Sequence, residues 1–218
     1  MKKYSKAITI TIIILILIFV GYYGDYVMSF FWGKMLMSET NSTVKNGYFI
    51  DKDNAVRFKL PSQWYVYGSY FEGGNSTRRH IALRSLMTAP LHSESHFYFD
   101  YEKLTLESEI ESLLRNRMEH ELNRYRSSDY YQNLAIVRNE MRKRGFGLAV
   151  LKVSFGRKEG IIRKRFVEET KFAFKNNFLI TTQYRNAQNK FDQERVDHLI
   201  EEIISSFEIG KKIQEVMK

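Results

Sequence analysis

The chain contains 218 residues, of which 15% are aromatic and none is cysteine, and its formal net charge at pH 7 is +9. The absence of cysteine excludes disulfides, thiol nucleophiles and cysteine-based zinc sites. The hydrophobic and aromatic content excludes an intrinsically disordered chain. Once an N-terminal segment of about 45 residues is set aside, about 170 residues remain, which is the size of one ordinary domain.

The first predicted element is a charge-free, isoleucine-rich stretch over Ala7–Tyr23. A helix needs roughly 17 to 25 apolar residues to cross a bilayer core of about 30 Å, so this stretch predicts a transmembrane anchor over residues 7–24. The N-terminal flank carries Lys2, Lys3 and Lys6. By the positive-inside rule, that charge predicts a single-pass protein with residues 1–6 as a cytoplasmic tip and an extracytoplasmic domain, which is periplasmic if the source is bacterial.

Two other interpretations of this stretch are a cleaved signal peptide and a buried core helix. Signal cleavage prefers small residues near the cut, whereas cleavage after Gly21 or Gly24 would leave a bulky Phe or Tyr at the −3 position. A first helix that is apolar on every side fits lipid better than a domain core. We therefore expect an uncleaved anchor, followed by a juxtamembrane stretch and linker over residues 25–45, with the polar segment 38–46 as the linker.

Beyond Asn46 the apolar residues alternate with period two, which is typical of strands half-buried in a sheet. This alternation predicts strands over residues 48–50, 56–60, 65–71, 78–86 and 97–101. Pro61 ends the second of these strands, and Gly73-Gly74 closes the third. The period then becomes helical, and one apolar stripe predicts an amphipathic helix from Leu106 to Tyr125.

Four further strands are predicted over residues 134–138, 146–155, 161–174 and 178–185. Short turns that contain Gly or Asn join the last three, which predicts an antiparallel meander. A second apolar stripe predicts an amphipathic helix over Asp192–Phe207, and residues 211–218 form a basic tail. The expected fold class is α+β, with one domain over residues 46–210 in which helices sandwich an antiparallel sheet.

Two short motifs in this domain resemble a known family. The segment RFKLPSQW contains Phe58, Pro61 and Trp64, and the segment IEEIISSFEI contains Ile203, Ser206 and Phe207. Together with the element order over residues 46–209, they resemble the PsbP-like (Mog-like, DcrB-like) family. The resemblance implies an antiparallel sheet between helices and a binding or assembly role rather than catalysis. It implies no catalytic residues, because the family has no shared active site to carry over.

Basic residues are concentrated between Arg138 and Lys175, where twelve Lys or Arg and four acids give a net charge of +8. Such a local excess is typical of a surface that meets an anionic partner. A turn between Gly156 and Gly160 is expected to bring four cations together at one end of the meander: Arg157, Lys158, Arg163 and Arg165. An acidic protein partner or anionic lipid headgroups would fit this group. The alternative is a charged strand margin that discourages edge pairing.

One motif suggests a metal site. In an extended segment, His92, Glu94 and His96 share a face and offer two imidazoles and a carboxylate. A solvated loop beside Pro90 is the simpler interpretation, so we expect no metal and no cofactor. The chain also lacks nucleophile-elbow, Walker and H-E-x-x-H motifs. Nor does it contain an aromatic-interleaved basic stripe, which argues against nucleic-acid binding.

These patterns predict a membrane-anchored, extracytoplasmic binding or accessory module of an envelope assembly, and not an enzyme. The membrane is one expected partner, through residues 7–24, and no nucleic acid is expected. The alternative function is a small metal-dependent hydrolase that uses His92, Glu94 and His96.

Overall fold

The computed structural model describes residues 2–71, 78–85, 96–104, 110–142, 148–159 and 162–209. Within these ranges, the side chains of residues 2–7, 19, 22, 23, 25, 26, 142, 148, 158, 159, 162 and 163 are not described. The Gly73-Gly74 turn, the first two residues of the predicted metal motif and the basic tail therefore lie outside the described residues.

The described ranges contain three α-helices: α1 (Lys2–Glu39), α2 (Ile110–Ser127) and α3 (Gln193–Ser206). A short 3-10 helix, Gln188–Lys190, precedes α3. The strands are β1 (Ser42–Lys45), β2 (Tyr48–Asp51), β3 (Val56–Lys59), β4 (Trp64–Phe71), β5 (Arg78–Ser85), β6 (His96–Lys103), β7 (Gln132–Arg142), β8 (Leu148–Glu159), β9 (Ile162–Lys175), β10 (Phe178–Ala187) and β11 (Glu208–Ile209). They form two antiparallel sheets, one in the order β1-β2-β3-β11 and one in the order β4-β5-β6-β10-β9-β8-β7.

The α+β class with antiparallel pairing is confirmed. Every strand predicted between residues 48 and 185 is present, and the two amphipathic helices correspond to α2 and α3. Asp192 caps α3, because its Oδ1 accepts a hydrogen bond from the backbone nitrogen of Arg195 at 3.2 Å. The single predicted sheet is a simplification, since the opening hairpin and β11 form a separate four-stranded sheet.

One face of the seven-stranded sheet, called the inner face, is covered by the four-stranded sheet, α3 and the end of α1. Its core is aromatic. The ring centroids of Phe58 and Phe99 are 4.5 Å apart, and the Phe207 ring lies 5.7 Å from the rings of both Tyr101 and Phe178. The motif residues Phe58 and Phe207 are thus core residues, and their role is structural.

The opposite face, called the outer face, is covered by α2 over part of its width. Leu114 and Met118 of α2 pack against Ala149, Phe172 and Leu179. Toward the end of α2, the buried Tyr125 packs in a cluster with side chains of β8 and β9: Leu151, Val153, Phe155 and Phe166. Across β5 and β6 the outer face carries polar and aromatic side chains instead.

The two halves of α1 have different surroundings. Between Ile8 and Val20, the described isoleucine, leucine and valine side chains are 50% to 64% exposed on all sides of the helix. In the second half, a Cβ added to Gly33 would lie 2.2 Å from the carbonyl oxygen of Val66 in β4. Only glycine permits this approach of helix to strand. Met37, one turn later, joins the inner core.

Residues 38–46, predicted to be a linker, are instead the end of α1 and strand β1. Thr40 and Ser42 are buried, and Thr40 Oγ1 lies 3.2 Å from Ser69 Oγ of β4. The side chains of Thr40, Asn41 and Ser42 are hydrogen-bonded within the domain. Polar composition alone could not reveal this, because the partner residue is 29 positions away in the chain.

The predicted transmembrane segment, residues 7–24, lies within the first half of α1. In the ranges that the structure describes, no helix is long and apolar enough to cross a membrane. The anchor is therefore not confirmed, and it stays a prediction of the sequence.

Candidate functional site

The four predicted cations lie in the hairpin between β8 and β9, residues 156–165, called the basic hairpin. The strand register pairs Lys158 with Arg163 and Arg157 with Lys164, while Arg165 pairs with Gly156. Paired residues of an antiparallel ladder share a face, and successive residues alternate between faces. Positions 158, 163 and 165 therefore belong to one face, and Arg157 belongs to the other.

The turn of the basic hairpin is shorter than predicted. β8 continues to Glu159 and β9 begins at Ile162, so residues 156–159 extend a strand instead of turning. This extension carries Arg157 to the outer face, where its guanidinium lies 4.6 Å from the centroid of the Tyr130 ring. Arg165 is exposed. The structure thus brings the four cations into one hairpin but not onto one face, because strand residues alternate.

The register also places like charges directly opposite each other. Arg157 faces Lys164, and the position of Lys158 is paired with that of Arg163. Cross-strand pairs contribute about 0.2–1 kcal/mol each, and opposed like charges act against stability. Salt screens part of this repulsion at exposed positions. An anionic group bound between the strands would remove it.

Of the three predicted metal ligands, His96 alone lies in the described part of the chain. It begins β6, pairs with Arg185 of β10, and its ring lies 6.2 Å from the Tyr98 ring. Among the described residues, no group of three or more His, Cys, Asp or Glu could hold a metal ion. His92 and Glu94 lie outside those residues, so the motif as a whole stays a prediction.

A polar patch on the outer face of β5 and β6 was not predicted from the sequence. His80 Nδ1 lies 2.5 Å from Asp100 Oδ1, and Arg78 Nη2 lies 2.5 Å from Asp100 Oδ2. The His80 ring also lies 4.7 Å from the Tyr70 ring and 5.2 Å from the Tyr98 ring. The alternation along each strand could have indicated that these residues share a face. It could not indicate which residues of the two strands stand opposite.

Toward the start of β4, the outer face carries an arginine–tyrosine cluster of Tyr67, Arg84, Tyr98 and Arg185. Burial raises the pKa of the Tyr67 phenol well above its ordinary value, and Tyr98 raises it further, whereas Arg84 and Arg185 act in the opposite sense. Two guanidinium groups therefore stand near one phenol. Arg84 Nη1 donates to Ser29 Oγ of α1 at 3.3 Å, so the cluster adjoins α1.

Beneath α2, the outer face buries the carboxylate of Glu168. Its Oε1 accepts hydrogen bonds from Tyr125 Oη and Gln183 Nε2, both at 2.6 Å, and lies 3.6 Å from Arg124 Nη2. Burial raises the pKa of Glu168, and the Tyr125 hydrogen bond and the charges of Arg185 and Arg124 offset this only in part. The buried side of the arginine–tyrosine cluster thus contains an acid that protonates more readily than an exposed glutamate.

The arginine–tyrosine cluster and the basic hairpin therefore both combine arginine side chains with neighbouring tyrosines. Guanidinium groups present planar pairs of donors that match carboxylate and phosphate oxygens, and neighbouring phenols supply further donors. This chemistry recognises anions.

No family model and no curated protein matches this chain. Among solved structures, it is similar to cyanobacterial PsbP from Synechocystis, with a TM-score of 0.45 and 12% identity over 75% of this chain and 91% of that chain. It is also similar to the Ran-binding protein Mog1p of Saccharomyces cerevisiae, with a TM-score of 0.44 and 9% identity over 77% of this chain and 96% of that chain.

LpqN, a protein involved in cell envelope biogenesis of Mycobacterium tuberculosis, shows a TM-score of 0.35 and 8% identity over 72% of this chain and 83% of that chain. The resemblance to PsbP and Mog proteins that two sequence motifs indicated is thus also seen among solved structures. At these three identities of 8% to 12% and TM-scores of 0.35 to 0.45, the likeness concerns the fold alone. No residue role and no partner follows from it.

Proposed function

We propose that this protein is a membrane-attached, extracytoplasmic accessory module that binds an acidic protein partner of an envelope assembly on its basic hairpin. The observation that supports this most directly is the register that opposes Arg157 to Lys164 and Lys158 to Arg163. Like charges directly opposite each other in a strand pair act against stability. A partner that offers carboxylates relieves the repulsion and adds charge-assisted hydrogen bonds.

Across the width of the sheet, the basic hairpin is set apart from α1. β9 and β8 are four and five steps from β4, the strand that packs on α1. At about 4.8 Å per step, the hairpin stands about 19–24 Å away across the sheet. A twist of about 20–25° per step turns its strands by about 80–125° from the direction of β4. By the antiparallel strand order, the hairpin lies at the end of the sheet where β4 begins, and its lateral distance from α1 leaves room there for a protein partner beside the membrane.

Residues 7–24 attach the module to the membrane, with residues 1–6 on the cytoplasmic side. The exposed isoleucine, leucine and valine side chains of this part of α1 support the attachment. Apolar surface in water is unfavourable by about 25 cal/mol per Å², and a bilayer removes it from water. The preceding lysines support the orientation.

The test compares the full-length protein with two double variants of equal charge change. Arg163→Glu/Arg165→Glu alters the basic hairpin, and Arg115→Glu/Arg126→Glu alters exposed arginines of α2 as the matched control. Each protein is captured from the membranes of its source over a range of salt, and the co-purifying proteins are quantified. We expect the hairpin variant to lose an acidic partner that the wild type and the α2 variant retain.

Stability measurements on the same proteins separate binding from folding. Arg163→Glu places a carboxylate opposite Lys158, so the hairpin variant should be as stable as the wild type or more stable by about 0.2–1 kcal/mol. Chemical denaturation checks this expectation. If the hairpin variant loses the partner while its stability is undiminished, the hairpin is a binding surface. If capture of the partner is unchanged, these arginines are only solvated residues at the margin of the sheet. Release of the wild type from membranes by carbonate washing would contradict the attachment.

A further inference from the structure

We propose that the end of the sheet from which α1 projects docks on the membrane surface, where Arg84 and Lys34 bind the phosphodiester headgroups of anionic lipids. This inference rests on the membrane attachment through residues 7–24 proposed above. It adds a lipid-binding site that is separate from the basic hairpin, and it assigns the outer face near α1 to lipid instead of protein.

The first observation is that no linker separates α1 from the domain. Ser29 Oγ lies 2.9 Å from Tyr65 Oη at the start of β4, Gly33 touches the β4 backbone, and Thr40 Oγ1 lies 3.2 Å from Ser69 Oγ further along β4. α1 therefore runs along β4 in the same direction. Its first half projects from the end of the sheet where β4 begins and β5 ends, so the helix sets how the domain is oriented.

The second observation concerns depth. Gly24 ends the predicted anchor, and Ser29 follows about 7.5 Å further along a helix that rises 1.5 Å per residue. A headgroup layer of about 5–7.5 Å covers each side of the bilayer core. Ser29 thus stands at the level of the outer headgroups. Arg84, whose Nη1 donates to Ser29 Oγ at 3.3 Å, stands at that level with it.

The third observation is the surface around this level. Met28, Phe31 and Trp32 expose 69%, 62% and 56% of their surface, although this half of α1 packs on the domain. Aromatic side chains with this exposure are typical of membrane interfaces. Lys34 reaches back over Phe30, with Nζ 4.7 Å from the ring centroid, which is the direction of the proposed bilayer.

These features combine into a site for a phosphodiester. Arg84 is half-buried and positioned by Ser29, and Arg185 adds a second positive charge near the same Tyr67 phenol. A guanidinium fork binds phosphate oxygens in pairs, and Lys34 supplies a mobile point charge. Each cation held at an anionic membrane surface strengthens binding by about fivefold. The exposed side chains of Met28, Phe31 and Trp32, buried in the membrane interface, would hold these cations next to the headgroups.

The test reconstitutes the full-length chain in nanodiscs of phosphatidylcholine, alone or mixed with phosphatidylglycerol, and records the Tm of the domain in both. We expect phosphatidylglycerol to raise the Tm of the wild type by a few degrees. Arg84→Gln/Lys34→Gln should lose this rise, and Arg115→Gln/Arg126→Gln should keep it. Each variant is compared with itself in two lipids, so a change in intrinsic stability cancels.

The outcomes separate the two proposals. A chain that does not float with the discs overturns the membrane attachment and the lipid site together. If the chain floats with the discs, two results would overturn the lipid site alone. One is a wild type whose Tm does not rise with phosphatidylglycerol, and the other is an equal rise in Tm for Arg84→Gln/Lys34→Gln. Trp32 gives a local check, because Trp64 is buried. Brominated lipids should quench the Trp32 emission, and unquenched emission from a floating chain would overturn the docking.

Discussion

Two buried acids, one on each face of the seven-stranded sheet, are held by different partners. On the inner face, Asp51 and Arg79 are both buried, with Arg79 Nε 3.1 Å from Asp51 Oδ2. Tyr101 Oη donates to the same oxygen at 2.5 Å, and Arg79 Nη2 donates to the carbonyl oxygen of Thr40 at 2.9 Å. On the outer face, the buried Glu168 accepts hydrogen bonds from a neutral phenol and a neutral amide.

This difference sets the protonation of the two acids. For Asp51 burial acts to raise the pKa, but the hydrogen bonds from Arg79, Asn54 and Tyr101 outweigh burial, and the pKa falls below its ordinary value. For Glu168 burial outweighs its partners, and the pKa rises. Asp51 accepts a hydrogen bond from a guanidinium, whereas the Arg124 guanidinium lies 3.6 Å from Glu168, and the closer contact favours the charged form of Asp51. Arg79 also donates to the carbonyl oxygen of Thr40, so the inner ion pair helps to hold the end of α1.

Breaking the inner pair should have the largest effect. Arg79→Met leaves Asp51 buried without its cation, and we expect the free energy of unfolding to fall by about 3–5 kcal/mol. Arg57→Met is the matched control, because Arg57 pairs with the exposed Glu208, and it should cost less than about 1 kcal/mol. Chemical denaturation of the full-length proteins measures both. Equal losses in the two variants would contradict the role of the inner pair.

The contact of α1 with β4 offers the next largest effect. Gly33→Ala forces a Cβ against the Val66 carbonyl, so helix and strand must separate, at a cost of about 1–3 kcal/mol. Gly21→Ala is the control, since nothing lies within 4 Å of an added Cβ there. Alanine also favours the helix at that position by about 1 kcal/mol. A Tm of Gly33→Ala equal to that of Gly21→Ala would show that α1 does not pack on β4.

Glu168→Gln should change how the free energy of unfolding depends on pH. Because the pKa of folded Glu168 is raised above its ordinary 4.5, the stability from its bound proton is present below pH 4.5 and is lost as pH rises through the folded pKa. Gln stays neutral, so the variant should gain stability relative to the wild type as pH rises from 4.5 through the raised pKa of folded Glu168. Asp51 acts in the opposite sense, with stability lost as pH falls. Parallel pH profiles of the variant and the wild type would contradict the buried, proton-binding Glu168.

The smallest effect is expected from His96, at the margin of the outer face. We expect the purified protein to retain no zinc or iron, so that His96→Ala leaves its metal content and its Tm nearly unchanged. Elemental analysis of both proteins checks this. A stoichiometric metal that His96→Ala releases would favour the metal-dependent hydrolase with His92 and Glu94 over the binding module.

Local sequence patterns were enough to predict the order of most strands and helices, the α+β class and much of the core. Period-two and helical alternation are local properties, and they select which side of an element is apolar wherever it packs. Phe58, on an alternating strand, and Phe207, on a helical apolar stripe, were recognisable as buried residues for this reason. The same local reasoning failed for residues 38–46, because buried polar side chains look like those of a linker until their partners are known.

Tertiary packing determines which strands pair, in which register, and against which helix. It separated β1–β3 into a second sheet, joined Asp51 to Arg79, and laid Gly33 on β4. It also placed Arg157 and Arg165 on opposite faces of one hairpin. The alternation of apolar and polar residues indicates on which face of a strand a residue lies, but not which residue of the next strand lies opposite. A shift of register by one residue exchanges the two faces of a strand. The packing of distant segments fixes the register, and the register determines which charged residues lie opposite each other.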